Sequence, residues 1–270
     1  MALDLFPVSP GLDRVATLRR TIGASLERVW ENVFDWEHLP WLHRQDFSSI
    51  DLIDSGAWGW KARAVSAGLP EAPFTVAVLV EVEANRYVSR TLDGEVTTSE
   101  IWTALAPVGK DETDIHVEFW LSSVPESALE SLGAGYLELY GRLWDQDEEM
   151  MRERARHLGG SEGLATDRAV ELGPLSELSG RLPFCVELGG ARWRVLSLGG
   201  ELIVHDAQCP HALGPLFEGP DESGELECPW HGYRFDVRTS RSSDGRRLRL
   251  RKPPRVVRNA ATDQVTLTLD

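Results

Sequence analysis

Two short segments near the C-terminal end of the sequence constrain the fold more strongly than any other feature. The first contains Cys209 and His211, and the second, after sixteen intervening residues, contains Cys228 and His231. Each pair lies in a stretch rich in proline and glycine, which is typical of loops. Because thiolates and imidazoles are strong metal ligands, the pattern predicts a metal centre held between two loops.

Two kinds of metal centre accept two cysteines and two histidines. A structural zinc ion does so, although zinc sites usually take two cysteines from one segment and two histidines from the other. A [2Fe–2S] cluster of the Rieske type takes two thiolates on one iron and two imidazoles on the other. Because each segment here supplies one cysteine and one histidine, the spacing favours the iron–sulfur cluster over zinc.

The residues that flank these ligands resemble the two cluster loops of Rieske domains. The first segment reads CPHALGPL and the second reads CPWHGYRFDVRT. The resemblance implies that the two cysteines and two histidines hold a [2Fe–2S] cluster. It also implies that residues 169–270 form an all-β Rieske domain.

Charge and cysteine content restrict the compartment and the partners. The 270 residues include 28 basic and 43 acidic side chains, and the net charge of −15 argues against nucleic acid or an anionic membrane as a partner. No apolar stretch is long enough to span a bilayer, so no membrane partner is expected. Cys185 is the only cysteine outside the two segments, and a disulfide would dismantle the cluster, which favours a cytoplasmic location. We expect Cys185 to be a small buried residue.

The N-terminal part of the sequence predicts a sheet followed by a long helix. Arg14–Ile22 has the pattern of a first strand, and Ser25 is positioned to cap a short amphipathic helix. Six strand-like runs follow between residues 47 and 121, and a long helix is predicted from Pro125 to His157.

This order of elements resembles the helix-grip fold of the START/SRPBCC superfamily, in which a curved sheet wraps a long C-terminal helix around an apolar cavity. We therefore expect an α+β helix-grip domain over residues 1–158 and a glycine-rich linker over residues 159–168. The Rieske domain over residues 169–270 would then follow.

A second set of potential metal ligands lies in the predicted helix-grip domain. His38 and His43 would point about 140° apart on a regular helix, but Pro40 between them interrupts it. On the long helix, Asp147 continues the apolar stripe, whereas Asp145 falls on the polar face. A lone carboxylate facing an apolar cavity is costly unless it is paired or binds a metal. The residues alone leave both interpretations of Asp147 open.

The segment Asp35-x-x-His38-x(4)-His43 and the run QDEEM around Asp147 resemble the mononuclear iron site of Rieske non-haem iron oxygenases. The resemblance implies that His38, His43 and Asp147 bind iron(II) and leave open positions for O₂ and substrate. It also implies that Asp35 is an electron-transfer bridge from His38 to a cluster histidine, here His231, of a neighbouring subunit.

The resemblance also implies an activity. A separate NAD(P)H-dependent reductase, directly or through a ferredoxin, would reduce the cluster, and the mononuclear Fe(II) would use O₂ to hydroxylate or demethylate an apolar or aromatic small molecule. The family implies a homo-oligomer, a trimer by analogy, although the domain order is reversed here. The alternative is a non-catalytic helix-grip ligand-binding protein fused to a Rieske electron carrier, in which the three candidate ligands would not converge.

Overall fold

The computed structural model describes residues 8–93, 98–159 and 166–270. The chain divides into two compact units, Met1–Arg152 (unit 1) and Glu153–Asp270 (unit 2). Residues 160–165, which fall in the predicted linker, lie outside the described residues. Of the helices in the described ranges, none combines the length and the hydrophobicity that spanning a bilayer requires.

Unit 1 is built on a seven-stranded antiparallel sheet in the order β1-β7-β6-β5-β4-β3-β2, so that the first strand pairs with the last. The strands are β1 Leu12–Ile22, β2 Phe47–Gly56, β3 Gly59–Ser66, β4 Phe74–Glu81, β5 Arg86–Asp93, β6 Ser99–Gly109 and β7 Glu112–Ser122. Gly59 begins β3 with φ +117°, and a Cβ there would lie 1.9 Å from the carbonyl oxygen of Val78 on β4. This hairpin therefore requires glycine at that position.

Two short helices follow β1. Ser25 caps α1 (Leu26–Phe34) as predicted, because its Oγ accepts a hydrogen bond from the backbone N–H of Arg28 at 3.3 Å. The expectation that Pro40 interrupts a helix between His38 and His43 is wrong. Helix α1 has already ended, and Pro40 lies in the first turn of a separate helix α2 (Leu39–Leu42), where its missing N–H is not needed.

The long helix α3 (Leu129–Leu158) supplies the other half of the unit 1 core. Its Trp144 and Met151 are buried in one cluster with Phe119 of β7. Gly133 lets the helix approach the sheet closely, since a Cβ there would lie 2.4 Å from the carbonyl oxygen of Val15. The sheet and helix thus enclose an apolar interior, which is the architecture of a helix-grip fold.

Beyond the end of α3, the described residues of unit 2 form short strands and loops with one single-turn helix, α4 (Leu175–Leu178). Its described strands form three antiparallel sheets in the orders β11-β10-β9, β12-β13-β14 and β15-β16-β8. The strands are β8 Ala169–Pro174, β9 Phe184–Leu188, β10 Ala191–Leu198, β11 Glu201–Asp206, β12 Glu225–Glu227, β13 Arg234–Asp236, β14 Arg241–Ser242, β15 Arg255–Arg258 and β16 Gln264–Thr268. The first cysteine–histidine segment follows β11, and the second connects β12 to β13.

The expectation that Cys185 is buried is wrong. Phe184 and Val186 on either side of it in β9 pack against the unit 2 core, so the alternation of the strand directs Cys185 outward. Its sulfur lies 3.7 Å from Nη1 of Arg194 on the neighbouring strand.

Candidate metal centres

The single turn of α2 brings His38 and His43 together. His38 is the N-cap and His43 the C-cap of this helix, and the carbonyl oxygen of His38 accepts from the N–H of Leu42 at 2.8 Å. The two imidazole centroids are 5.1 Å apart and the rings are inclined at 74°. Because the two histidines flank the turn and are not both within a continuous helix, their side chains do not have to point about 140° apart.

Asp147 of α3 joins the two histidines. Its Oδ1 lies 3.0 Å from Nε2 of His43 and 3.5 Å from Nε2 of His38, and the potential ligand atoms of all three residues lie within 4.8 Å of one another. Asp145, two residues earlier, is exposed and forms an ion pair with Arg20 at 2.6 Å. The structure therefore brings together the three residues that the sequence proposes as ligands.

Two amides for which the sequence predicted no role hold this group in place. Oε1 of Gln146 lies 2.7 Å from Nδ1 of His43, and Nδ2 of Asn32 donates to Oδ1 of Asp147 at 3.0 Å. With Nδ1 protonated, a neutral His43 directs the lone pair of Nε2 toward the carboxylate oxygen. Two acceptors 3.0 Å apart require a proton or a metal cation between them.

The pKa values of the pair reflect this proximity. Burial opposes a charge on His43, but the hydrogen bond and charge of Asp147 outweigh it and raise the pKa of His43. Burial would raise the pKa of Asp147, but the hydrogen bonds from His43 and Asn32 and the charges of the two histidines together outweigh it, so this pKa is lowered. Without a metal, the proton shared by the pair therefore lies on the imidazole.

The donor set fits a metal ion. Ligand bonds of about 2.1 Å place adjacent ligand atoms about 3 Å apart, which is close to the observed separations from Asp147. Two imidazoles and one carboxylate on one side of an ion are the ligands of the facial-triad sites of non-haem iron(II).

Asp35 lies beside this group without joining it. Its Oδ2 is 3.7 Å from Nδ1 of His38, which is beyond hydrogen-bond distance, and its Oδ1 accepts from the N–H of Glu37 at 3.1 Å. The bridge from Asp35 to His231 of a neighbouring subunit stays a prediction.

The three candidate ligands lie on the wall of a cavity of about 740 Å³ in unit 1. Most of the wall is aliphatic or aromatic and comes from the sheet and α3, for example Trp60, Val78 and Leu143. The volume falls in the range of about 300–1,000 Å³ that is typical of small-molecule sites. Unit 1 can therefore hold a small, largely apolar molecule beside a metal ion.

The two cysteine–histidine loops of unit 2 share one backbone pattern. In each loop the backbone N–H of the cysteine, Cys209 or Cys228, donates to the carbonyl oxygen of the residue five positions later. The carbonyl oxygen of the same cysteine accepts a hydrogen bond from the N–H of the residue four positions later. All four hydrogen bonds measure 2.8–3.0 Å. The residue four positions after each cysteine, Leu213 or Gly232, has a positive φ of 66° or 64°. Two equivalent turns thus present their cysteines from matching positions.

The two cysteines and two histidines of these loops suit a cluster whose cysteine-bound iron is buried and whose histidine-bound iron lies nearer the surface. Both cysteines and His231 are buried, His211 is exposed, and the two imidazole centroids are 4.5 Å apart. A hydrogen bond from Cys209 lowers the pKa of the Cys228 thiol to about 5, so one thiolate forms readily. Gly214 leaves space for the Trp230 ring and the cysteine sulfur, because a Cβ there would lie 2.9 Å from the ring and 3.1 Å from Sγ of Cys228.

Comparison with known proteins identifies this region. Residues 168–253 match the protein-family model described as the Rieske [2Fe-2S] domain. The match implies a [2Fe–2S] cluster and a role in electron transfer for unit 2.

Curated relatives match over short segments only. Pheophorbide a oxygenase, chloroplastic, of Oryza sativa subsp. japonica is 53% identical over 38 residues, which are 14% of this chain and 7% of the relative. The 3-chlorobenzoate-3,4-dioxygenase oxygenase subunit of Comamonas testosteroni is 37% identical over 62 residues, which are 19% of this chain and 14% of the relative. The chain thus spans a small part of the length of the relatives it matches.

Solved structures with similar architecture cover about half of the chain. A START superfamily protein from Mycobacterium smegmatis is 20% identical and covers 51% of this chain and 96% of its own, with a TM-score of 0.43. The Zhui aromatase/cyclase from Streptomyces sp. R1128 is 11% identical, and the superposition covers 55% of this chain and 99% of the aromatase/cyclase, with a TM-score of 0.46. The chain combines an N-terminal α+β helix-grip unit with a C-terminal all-β Rieske [2Fe–2S] domain, which confirms the predicted fold class.

Proposed function

We propose that the protein is a Rieske-type oxygenase that hydroxylates or demethylates an apolar or aromatic small molecule. One observation carries the proposal. His43 and Asp147, which are 104 residues apart in the chain, meet with His38 on the wall of an apolar cavity, and the same chain contains a Rieske domain. A site with two histidines and one carboxylate has little use in a ligand carrier and suits oxygen chemistry at iron.

The two centres have separate tasks in this proposal. Iron(II) bound by His38, His43 and Asp147 would activate O₂, and a [2Fe–2S] cluster would supply electrons received from a reductase or a ferredoxin. The cluster ligands would be Cys209, His211, Cys228 and His231. The apolar wall of the cavity would bind the substrate and exclude water from the reacting atoms.

The polar residues around the triad have positioning roles. Gln146 fixes the protonated nitrogen of His43, and Asn32 fixes the carboxylate of Asp147. Asp35 would link His38 to His231 of a neighbouring subunit in a homo-oligomer, a trimer by analogy. Two curated relatives are named as oxygenases, which supports the assignment of the chemistry.

Iron content tests the proposal. The protein should contain the two irons of the cluster and additional ferrous iron that a mild chelator removes without changing the cluster spectrum. Asp147→Ala should lose the additional iron and reductase-coupled oxygenation while keeping the spectrum. The matched control Asp145→Ala, which removes an exposed carboxylate two residues away, should keep both.

The same measurements can also contradict the proposal. If the wild-type protein holds only cluster iron, or if Asp147→Ala keeps its total iron and activity, then the triad is not the catalytic centre. The alternative of a ligand-binding protein fused to an electron carrier would then apply.

A further inference from the structure

We infer that the cavity of unit 1 binds an uncharged, elongated polycyclic molecule that carries a hydroxyl or carbonyl group at the end remote from the metal triad. The inference rests on the proposed function in that it treats this ligand as the substrate of the site. Three features of the cavity wall support it: its charge, its length and the position of its hydroxyl groups.

Outside the metal triad, the wall offers no cation to an anionic ligand. No lysine or arginine is among the described residues that line the cavity, and residues 1–7, 94–97 and 160–165 contain neither type. The two histidines on the wall belong to the triad. A ligand carboxylate or sulfate in the apolar part of the cavity would therefore be desolvated without a partner, which costs several kcal/mol.

The wall is equally unsuited to a cationic ligand, although it contains three carboxylates. Asp46 forms an ion pair with Arg142 at 2.5 Å, and Asp147 is held by Asn32 and His43. Asp35 accepts the backbone N–H of Glu37. Because Arg142 neutralises Asp46, and the other two carboxylates lie beside the histidines of the triad, the rest of the cavity provides no counter-charge for an amine.

The cavity is long in one direction. Tyr136 and Asp147 both line it, and their separation of eleven residues on α3 corresponds to about 16 Å along the helix axis. A single ring beside the triad would leave most of this length empty.

A hydroxyl cluster lies toward the end of the cavity that is remote from the triad. The hydroxyls of Thr91 and Ser99, on neighbouring strands, are 2.9 Å apart. Ser99 is two residues from Ile101, which pairs with Phe119, and the ring centroid of Phe119 is 5.4 Å from that of Tyr136. Hydroxyl groups can donate or accept, so they can bind a hydroxyl or a carbonyl without adding charge. A mostly apolar ligand with one such group at its end would satisfy both the wall and this cluster.

Calorimetric titration of the cluster-loaded protein with estradiol and its derivatives tests the inference. Estradiol, which is uncharged and tetracyclic, should bind, and estradiol sulfate should bind at least about tenfold more weakly. The bicyclic phenol tetrahydronaphthol, which lacks the length, should also bind more weakly than estradiol. Equal or tighter binding of the sulfate or of the bicyclic phenol would overturn the inference, as would no binding of estradiol.

A matched pair of variants tests the hydroxyl cluster. Ser99→Ala should weaken estradiol binding about three- to tenfold, which corresponds to one net hydrogen bond. Ser66→Ala makes the same change on the cavity wall opposite Phe47, whose N–H donates to the carbonyl oxygen of His43, and should have less effect. Equal losses in both variants would overturn the assignment. Binding is read without turnover, so a protein without the additional iron would fail the proposed function and could still pass this test.

Discussion

Oε1 of Gln146 lies 2.7 Å from Nδ1 of His43, on the side of the imidazole opposite the metal triad. Because an amide oxygen only accepts, Nδ1 must carry the proton, and Nε2 of the neutral ring is left to bind a metal. A residue next to Asp147 in the chain thus determines which nitrogen of a distant histidine is the ligand.

Replacing Gln146 should therefore weaken metal binding. Gln146→Leu removes the acceptor, and we expect the affinity for ferrous iron to fall about 10–100-fold. Gln146→Glu keeps an acceptor oxygen and should retain affinity near the wild-type value. Anaerobic titration against a competing chelator measures both, with exposed Glu149→Leu as the control on the same helix. Wild-type affinity in Gln146→Leu would show that the contact does not position His43.

The His43–Asp147 pair should make the metal-free protein sensitive to pH. The pKa of His43 is raised above its ordinary 6.5 by Asp147 against the effect of burial, so its contribution to stability is complete below pH 6.5. That contribution is lost as the pH rises through the raised value. The pKa of Asp147 is lowered below 3.8, so its contribution is present above pH 3.8 and is lost as the pH falls through the lowered value.

Two measurements follow for the same pH interval. As the pH rises through the pKa of His43, the melting temperature of the metal-free protein should fall and the affinity for ferrous iron should increase, because the proton no longer competes. In Asp147→Asn the fall in melting temperature should be much reduced. An unchanged pH profile in that variant would mean that other groups cause the effect.

Arg246 should raise the reduction potential of the cluster. Its guanidinium carbon lies 3.9 Å from the ring centroid of Tyr233, which stacks on the exposed His211 at 4.3 Å with an interplanar angle of 21°. A positive charge near the histidine-bound iron favours the reduced state. We expect Arg246→Leu to lower the midpoint potential by less than about 59 mV, the shift that equals a tenfold change for one electron.

The neighbouring exposed arginine provides the control for this measurement. Arg247→Leu makes the same change in net charge one residue away and should leave the potential closer to that of the wild-type protein. Spectroelectrochemical titration of both variants measures the difference. Equal shifts would show that only the overall charge of the surface matters.

The β3–β4 hairpin should not tolerate a side chain at Gly59. The strained φ and the clash of a Cβ with the Val78 carbonyl should make Gly59→Ala about 2–4 kcal/mol less stable in chemical denaturation. Gly141 in α3 has open space around it, and Gly141→Ala should raise the free energy of unfolding by about 0.5–1 kcal/mol. Destabilisation by both changes would contradict this account.

Local patterns were sufficient for much of the fold and for the choice of ligands. The period of α3 separates Asp147 from Asp145, and the structure places the first in the cavity and the second in solvent. The cap at Ser25 follows from the preference of helix N-termini for a hydroxyl. These features depend on residues close together in the chain, so the sequence determines them directly.

Other features depend on how distant elements meet, and the sequence contains no local sign of them. Gln146 and Asn32 acquire their roles only where α3 packs beside α2 and α1. Pro40 is compatible with either breaking a helix or starting one, and the position of the preceding helix end decides. Cys185 is exposed because β9 directs its flanking residues inward, which composition does not reveal.

The triad joins a histidine-bearing turn to a helix residue 104 positions away. An ion bound there would act as a reversible cross-link that closes a loop of about that length, much as a disulfide does. Its binding free energy would then also be folding free energy for unit 1. Removing the ion with a chelator would therefore destabilise unit 1, including the residues that line the cavity, as well as remove the reactive centre. The melting temperature of the protein would then depend on the fraction of molecules that hold the ion.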